Sequence, residues 1–150
     1  MIILGADHAG FELKEKIKKK LIQSKYSIND VSLNYDKEDD YTDIVENMCE
    51  KITDKDFGIM VCGTGIGSCI MANKFNGIRA AICFDEYTAK MTRMHNDANL
   101  LCLGGRTAVA DDNKIWWNIV DKFITTEFSN EERHIRRINK IKEIEKRGDV

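Results

Sequence analysis

Phe57-Gly58-Ile59-Met60-Val61-Cys62-Gly63-Thr64-Gly65-Ile66-Gly67 is the stretch on which the fold turns. Ile59, Met60 and Val61 form a short apolar run bounded by glycine, which suits a strand covered on both faces. Gly63, Gly65 and Gly67 then alternate with Thr64 and Ile66. Glycines allow a backbone of positive φ and let its N–H groups converge on an anion. Ser68 to Phe75 is largely helix-compatible, so the turn is expected to open a helix whose N-terminus adds partial positive charge. The stretch predicts a buried strand, a cradle for a phosphate, carboxylate or oxyanion, and a thiol, Cys62, at the lip of that cradle.

On either side the same alternation repeats. Met1–Ala6 is expected to be a strand ending in Asp7-His8-Ala9-Gly10. Phe11–Lys25 is a helix with Leu13, Ile17 and Leu21 on one face and lysines filling the other. Ser27–Leu33 is a weaker strand, Asn34–Asp40 an acidic loop, and Thr42–Thr53 a helix with Ile44, Val45, Met48 and Ile52 as its apolar stripe. Asn76-Gly77 marks a turn. A fourth strand follows at Arg79–Phe84, a helix at Glu86–Met94, and a fifth strand at Asn99–Leu103, closed by Gly104-Gly105-Arg106. Asp111–Thr126 is a long helix bearing Trp116, Trp117, Ile119, Val120, Phe123 and Ile124, broad enough in its apolar surface for part of it to face another subunit. Ser129-Asn130-Glu131-Glu132 fits a capping box before a last helix to about Arg147.

Five strands alternating with helices predict an α/β fold: a parallel sheet covered by helices on both faces, in one domain over 1–150. In such sheets ligands bind beyond the carboxyl ends of the strands. Asp7-His8, Cys62 with the glycine turn, and Arg106 all follow strand ends, so one edge gathers them. His95 is expected to approach that edge as well.

Composition narrows the function. The 23 Lys and Arg against 25 Asp and Glu give a net charge of −2, which disfavours a general nucleic-acid or membrane binder. Neither a signal peptide pattern nor a membrane-length apolar run is seen, so a soluble, cytoplasmic protein is expected. Cys49, Cys62, Cys69, Cys83 and Cys102 are odd in number and widely spaced, which disfavours a disulfide framework or a zinc site. A metal held by Asp7, His8 and His95 lacks HxH or HExxH spacing. The glycine pattern is neither a GxGxxG fingerprint nor a P-loop.

Taken alone, Cys62 is most simply a small buried hydrophobe. Beside peptide N–H groups and a helix N-terminus a thiol gains thiolate character, and a thiolate so placed serves as nucleophile or as proton abstractor. Arg133 and Arg137, four apart on one helix face, either fork onto a phosphate or form a solvated basic face.

Gly5-Ala6-Asp7-His8-Ala9-Gly10, Asp40-Tyr41, Cys62-Gly63-Thr64-Gly65-Ile66-Gly67, Ala72-Asn73-Lys74, His95-Asn96-Asp97-Ala98-Asn99, Gly104-Gly105-Arg106 and Arg133-His134-Ile135-Arg136-Arg137, in this order, resemble the ribose-5-phosphate isomerase B family of sugar-phosphate isomerases. The resemblance covers nearly the whole chain. It implies a Rossmann-like three-layer fold, a homodimer (or a tetramer) with active sites at the subunit interface, and neither metal nor organic cofactor. It implies interconversion of D-ribose 5-phosphate and D-ribulose 5-phosphate, a step of the non-oxidative pentose phosphate pathway.

By motif, the resemblance makes Cys62 the base that moves a proton between C2 and C1. His95 becomes the acid–base group for ring opening, with Asp7 and Thr64 near the sugar hydroxyls. The backbone of Gly63, Thr64, Gly65, Ile66 and Gly67 stabilises the enediolate. His8, Arg106, Arg133 and Arg137 bind phosphate, some from the neighbouring subunit, while Tyr41 and Asn96 belong to the sugar site. Some members lack the cysteine and carry Glu at the position of Ser68; this chain matches the cysteine subtype. The alternatives left open are a galactose- or allose-6-phosphate isomerase of the same family and a non-catalytic sugar-phosphate or nucleotide binder.

Overall fold

Five parallel strands form one sheet in a computed structural model that describes residues 1–148. The last two positions of the expected 1–150 domain lie outside the described residues. The strands are β1 (Ile2–Ala6), β2 (Ile28–Asp30), β3 (Phe57–Cys62), β4 (Ala80–Ile82) and β5 (Leu100–Gly104), in the order β2-β1-β3-β5-β4. After β1 the chain crosses to one side, and after β3 it crosses to the other. The crevice between β1 and β3 is therefore the switch point at which such sheets take ligands. Ala6 pairs with Val61 and Cys62 with Gly104, so the carboxyl ends of the three central strands are level.

Seven helices connect or follow the strands: α1 (Phe11–Gln23), α2 (Tyr41–Cys49), α3 (Ile66–Ala72), α4 (Glu86–Asn96), α5 (Ala108–Asp111), α6 (Asn113–Thr125) and α7 (Glu132–Arg147). Alternate strand residues face opposite layers, as the two-residue period of a strand requires. Leu4, Ile59, Val61, Leu101 and Leu103 pack with residues of α1, α4 and α6. Ile3, Met60, Cys62, Leu100 and Cys102 pack with residues of α2 and α3. The result is the expected three-layer α/β sandwich.

Several local expectations are corrected. The strand expected at Ser27–Leu33 pairs only over β2, because beyond it Asp30 Oδ1 turns back to accept the Ser32 N–H at 3.0 Å. Lys14 is not on the solvent face of α1 but fully buried. Its ammonium donates to Ser32 O (2.7 Å) and Asp30 Oδ2 (3.1 Å), which makes that burial tolerable. The long helix expected at Asp111–Thr126 begins two residues later, at Asn113, because the Asp112 side chain accepts the N–H groups of Lys114 and Ile115 and so starts α6.

Most of the broad apolar surface of α6 is used within this chain. Trp116, Ile119, Val120 and Phe123 are buried in this chain's own core, with Trp117 and Ile124 packed against it. The proposed capping box at Ser129 also fails. Glu131 is the N-cap of α7, without a side-chain cap bond, and Ser129 Oγ instead meets His134 Nδ1 at 2.7 Å.

Candidate active site

The carboxyl edge is built from strand ends. β3 delivers Cys62, 4% exposed, into the turn, where the Gly65 N–H donates to Cys62 Sγ at 3.1 Å. Gly65 holds φ +81°, the left-handed region that an L side chain adopts only with strain. The first-turn N–H groups of Gly67 and Ser68 have no acceptor within their own helix, a property of every helix start. Gly67 is required for a different reason. A Cβ there would stand 2.7 Å from Tyr41 Cζ and 2.9 Å from its Oη, so the glycine makes room for the phenol over the turn.

β1 supplies the opposite wall. Asp7 is buried, and its Oδ1 accepts the N–H groups of Ala9 and Gly10, each at 3.0 Å. Burial holds the Asp7 carboxyl above the ordinary carboxylate value, against the pull of the Gly10 N–H, of His8 and of the Ala9 N–H. His8 is gripped by Asp39, whose Oδ1 takes the His8 backbone N–H at 2.9 Å and lies 2.8 Å from Nδ1. That hydrogen bond, with the charges of Asp7 and Asp39 added, raises the imidazole above its ordinary value despite burial and Arg106. Arg106, exposed, is fastened at the backbone: its N–H donates to Gly63 O at 2.9 Å, while Gly105 N–H donates to Cys62 O at 2.7 Å. Asp7, His8, Tyr41, Cys62, Thr64, the glycine turn with Ile66, and Arg106 thus share one open edge. Asp39 was not foreseen; one carboxylate among several in an acidic loop carries no spacing signal.

The second group of expected site residues is elsewhere. His95 does not reach the edge of Cys62. α4 leaves that edge after β4 and returns to the amino edge, where His95 and Asn96 close the helix. There Arg79, just before β4, donates to Asn96 O at 3.0 Å. Arg133 and Arg137 start α7 beside them, both exposed, with Arg133 Nε 2.8 Å from Glu131 Oε2. The height of the sheet, roughly 15–20 Å for strands of this length, separates the two groups within one chain. A helix that follows a strand in a parallel sheet must run back, so its C-terminus cannot share the edge of the strand ends.

A cavity of about 410 Å³, lined by Ile78, Ala80, Asn96, Ile141 and Ile144 among others, lies between α7 and β4 and does not reach Cys62. Among the described residues no group of three His, Cys, Asp or Glu side chains is placed to hold a metal, and no helix is long and apolar enough to cross a membrane. All five cysteines are free.

A thiol beside peptide donors, with a buried carboxyl, an imidazole held by a carboxylate and a guanidinium along one sheet edge, defines an α/β protein equipped for proton transfer on a small anionic substrate. Comparison with known proteins is specific. The model of the family "Ribose/Galactose Isomerase" matches residues 2–141. Ribose-5-phosphate isomerase B of Escherichia coli is 35% identical over 148 residues, covering 97% of each chain. The solved structure of the Clostridium thermocellum ribose-5-phosphate isomerase B superposes with a TM-score of 0.90 at 40% identity, covering 99% of each chain. That of the Mycoplasma genitalium enzyme, described with bound ribulose-5-phosphate, has a TM-score of 0.90 at 38% identity and covers 97% of this chain and 95% of that one. The chain belongs to the ribose/galactose isomerase family.

Proposed function

We propose that this protein interconverts D-ribose 5-phosphate and D-ribulose 5-phosphate through an enediolate. The observation that carries the proposal is the Gly65 N–H bonded to Cys62 Sγ at the rim of the glycine turn, in a chain of this family. Aldose–ketose exchange needs a base over the carbon acid and fixed donors where negative charge develops. In this scheme His95, with Asp7, opens the furanose ring. Cys62 takes the proton from C2 and returns it at C1, while peptide N–H groups of Gly63–Gly67 hold the enediolate oxygens. Thr64, Tyr41 and Asn96 contact the sugar. His8, Arg106, Arg133 and Arg137 hold the phosphate, whose remote binding energy positions the reacting carbons.

The scheme requires two copies of the chain, because His95, Asn96, Arg133 and Arg137 stand at the wrong edge of their own sheet. We therefore assign a homodimer in which the amino-edge group of one copy completes the carboxyl-edge group of the other. Exposed apolar side chains support this: Ile66 and Ile70 on α3 are 56% and 61% exposed, and Phe84 and Tyr87 at the head of α4 are 60% and 69% exposed. They adjoin the glycine turn and the edge strand β4. A cytoplasmic enzyme of pentose phosphate interconversion, in one domain and with no nucleic-acid or membrane partner, fits the charge balance.

The direct test is Cys62→Ala, assayed with ribose 5-phosphate and with six-carbon aldose 6-phosphates. Turnover of the pentose phosphate is expected to fall by about 10²–10⁴, the range for loss of a positioned acid–base group, with the thermal transition retained. Normal turnover would remove Cys62 as the base, and faster wild-type turnover of the hexose phosphates would reassign the substrate.

A further inference from the structure

His134 faces the wall of the amino-edge group, and nothing in the proposed chemistry uses it. It is 1% exposed, and its ring lies against that of His95 with centroids 4.3 Å apart and planes inclined by 34°. Its Nδ1 is 2.7 Å from Ser129 Oγ, and Ser129 is itself fastened by its N–H to Met94 O at 3.1 Å. One residue, through its hydroxyl and its backbone N–H, thus ties the start of α7 to the end of α4. Among the described residues no hydrogen bond holds the His95 ring, so the face of His134 is the contact that orients it.

We propose that His134 is the positioning residue for His95: its ring, locked by Ser129, presents the His95 imidazole to the sugar ring oxygen during furanose opening. The proposal rests on the assignment of His95 given above. Desolvation, His95, Arg133 and Arg137 hold His134 below its ordinary value, with Glu131 opposing, which favours the neutral ring. A neutral ring stacks against His95 in either of its protonation states, whereas two imidazolium rings would repel. Ring opening needs such tolerance, because the acid–base group changes charge during the step: it gives a proton to the ring oxygen as the bond from that oxygen to C1 breaks, while the Asp7 carboxylate takes the proton of the C1 hydroxyl.

The two directions of the reaction separate this role from a general structural one. Ribose 5-phosphate is a closed furanose and must be opened. Ribulose 5-phosphate is open, because its C5 oxygen carries the phosphate, and its C1 proton exchange needs the base and the enediolate donors but no ring opening. The experiment compares kcat for ribose 5-phosphate with deuterium uptake from D2O at C1 of ribulose 5-phosphate, for the wild type, His134→Ala, His134→Phe, Ser129→Ala and His95→Ala.

His134→Ala is expected to lower the first about tenfold or more, since displacing a reacting group by ~1 Å costs up to about a hundredfold. Its deuterium uptake is expected to stay within about twofold, and KM to change little. His134→Phe keeps the ring face and is expected to recover most of kcat; Ser129→Ala is expected to fall between. An equal loss in both assays, or no loss in either, overturns the proposal. If His134→Ala does not fold, an unchanged ratio of the two rates in Ser129→Ala overturns it equally. If His95→Ala turns over ribose 5-phosphate normally, the assignment of His95 itself fails, an outcome distinct from a selective His95 defect that His134 does not share.

Discussion

The two edges of the sheet differ in how they are made. The carboxyl edge is assembled by the ends of β1, β3 and β5, hydrogen-bonded in register, and its polar groups are tied to backbone: Asp7 to the Ala9 and Gly10 N–H groups, Cys62 to the Gly65 N–H. The amino edge is assembled from the end of α4 and the start of α7, held by side chains, Ser129 and the stacked histidines. The first can bind and hold charge within one chain. The second carries the His95 imidazole and the exposed guanidiniums of Arg133 and Arg137, which the proposed scheme uses for ring opening and for the phosphate. In the proposed scheme each edge is half of an active site, because a helix runs back from the strand it follows.

Mixing experiments would break this contrast most sharply. Cys62→Ala and His95→Ala are each expected to be inactive as pure dimers. After co-refolding, about half of the dimers are hybrids with one intact site in two, so activity is expected to return to about a quarter of the wild-type value. No recovery would place both groups in one subunit.

The turn itself is tested by Gly65→Ala, which forces a side chain into φ +81° and brings its Cβ to 3.1 Å from Ile82 Cγ1 and from the Leu103 carbonyl carbon. A loss of about 1–3 kcal/mol in urea unfolding is expected, and a neutral effect would mean that the turn relaxes freely.

At the amino edge, Arg137 has no carboxylate partner among the described residues, whereas Arg133 is paired with Glu131. Arg137→Ala is therefore expected to raise KM by about tenfold or more, the worth of a charge-assisted hydrogen bond, and Arg133→Ala by less. Equal, negligible changes would return both to a solvated face.

The smallest effect concerns pH. The Asp39 hydrogen bond raises His8, so the cationic contribution that the proposed scheme gives it in phosphate binding is complete below the ordinary imidazole value and is lost as pH rises through the raised one. Asp39→Asn is expected to move that loss to lower pH, with KM rising about two- to fivefold near neutrality, as for a solvent-exposed ion pair. An unshifted KM profile would detach His8 from the phosphate.

Much of the carboxyl edge was legible in the amino-acid order, because the relevant residues directly follow apolar runs. Asp7-His8, Cys62 with its glycines, and Arg106 each end a strand, and parallel strands share one carboxyl edge. The start of α6 after Asp112, the burial of Lys14 and the true partner of Ser129 were not legible. Each depends on which distant group is near: the N–H groups of Lys114 and Ile115, Asp30 with Ser32 O, and His134. A capping box does occur in the chain, at Asp85 and Thr88, where no competing partner draws the Asp85 side chain away.

Hydrophobic period and glycine placement, which are local properties of the chain, determined the α/β class, the parallel sheet and the cradle beside Cys62. Motif order determined the family. Only the tertiary structure decided that His95, Asn96, Arg133 and Arg137 stand a sheet's height away from Cys62, that Asp39 grips His8, and that the rings of His95 and His134 stack. Those facts depend on the direction in which each helix returns and on contacts between residues far apart in the chain, which no local pattern encodes.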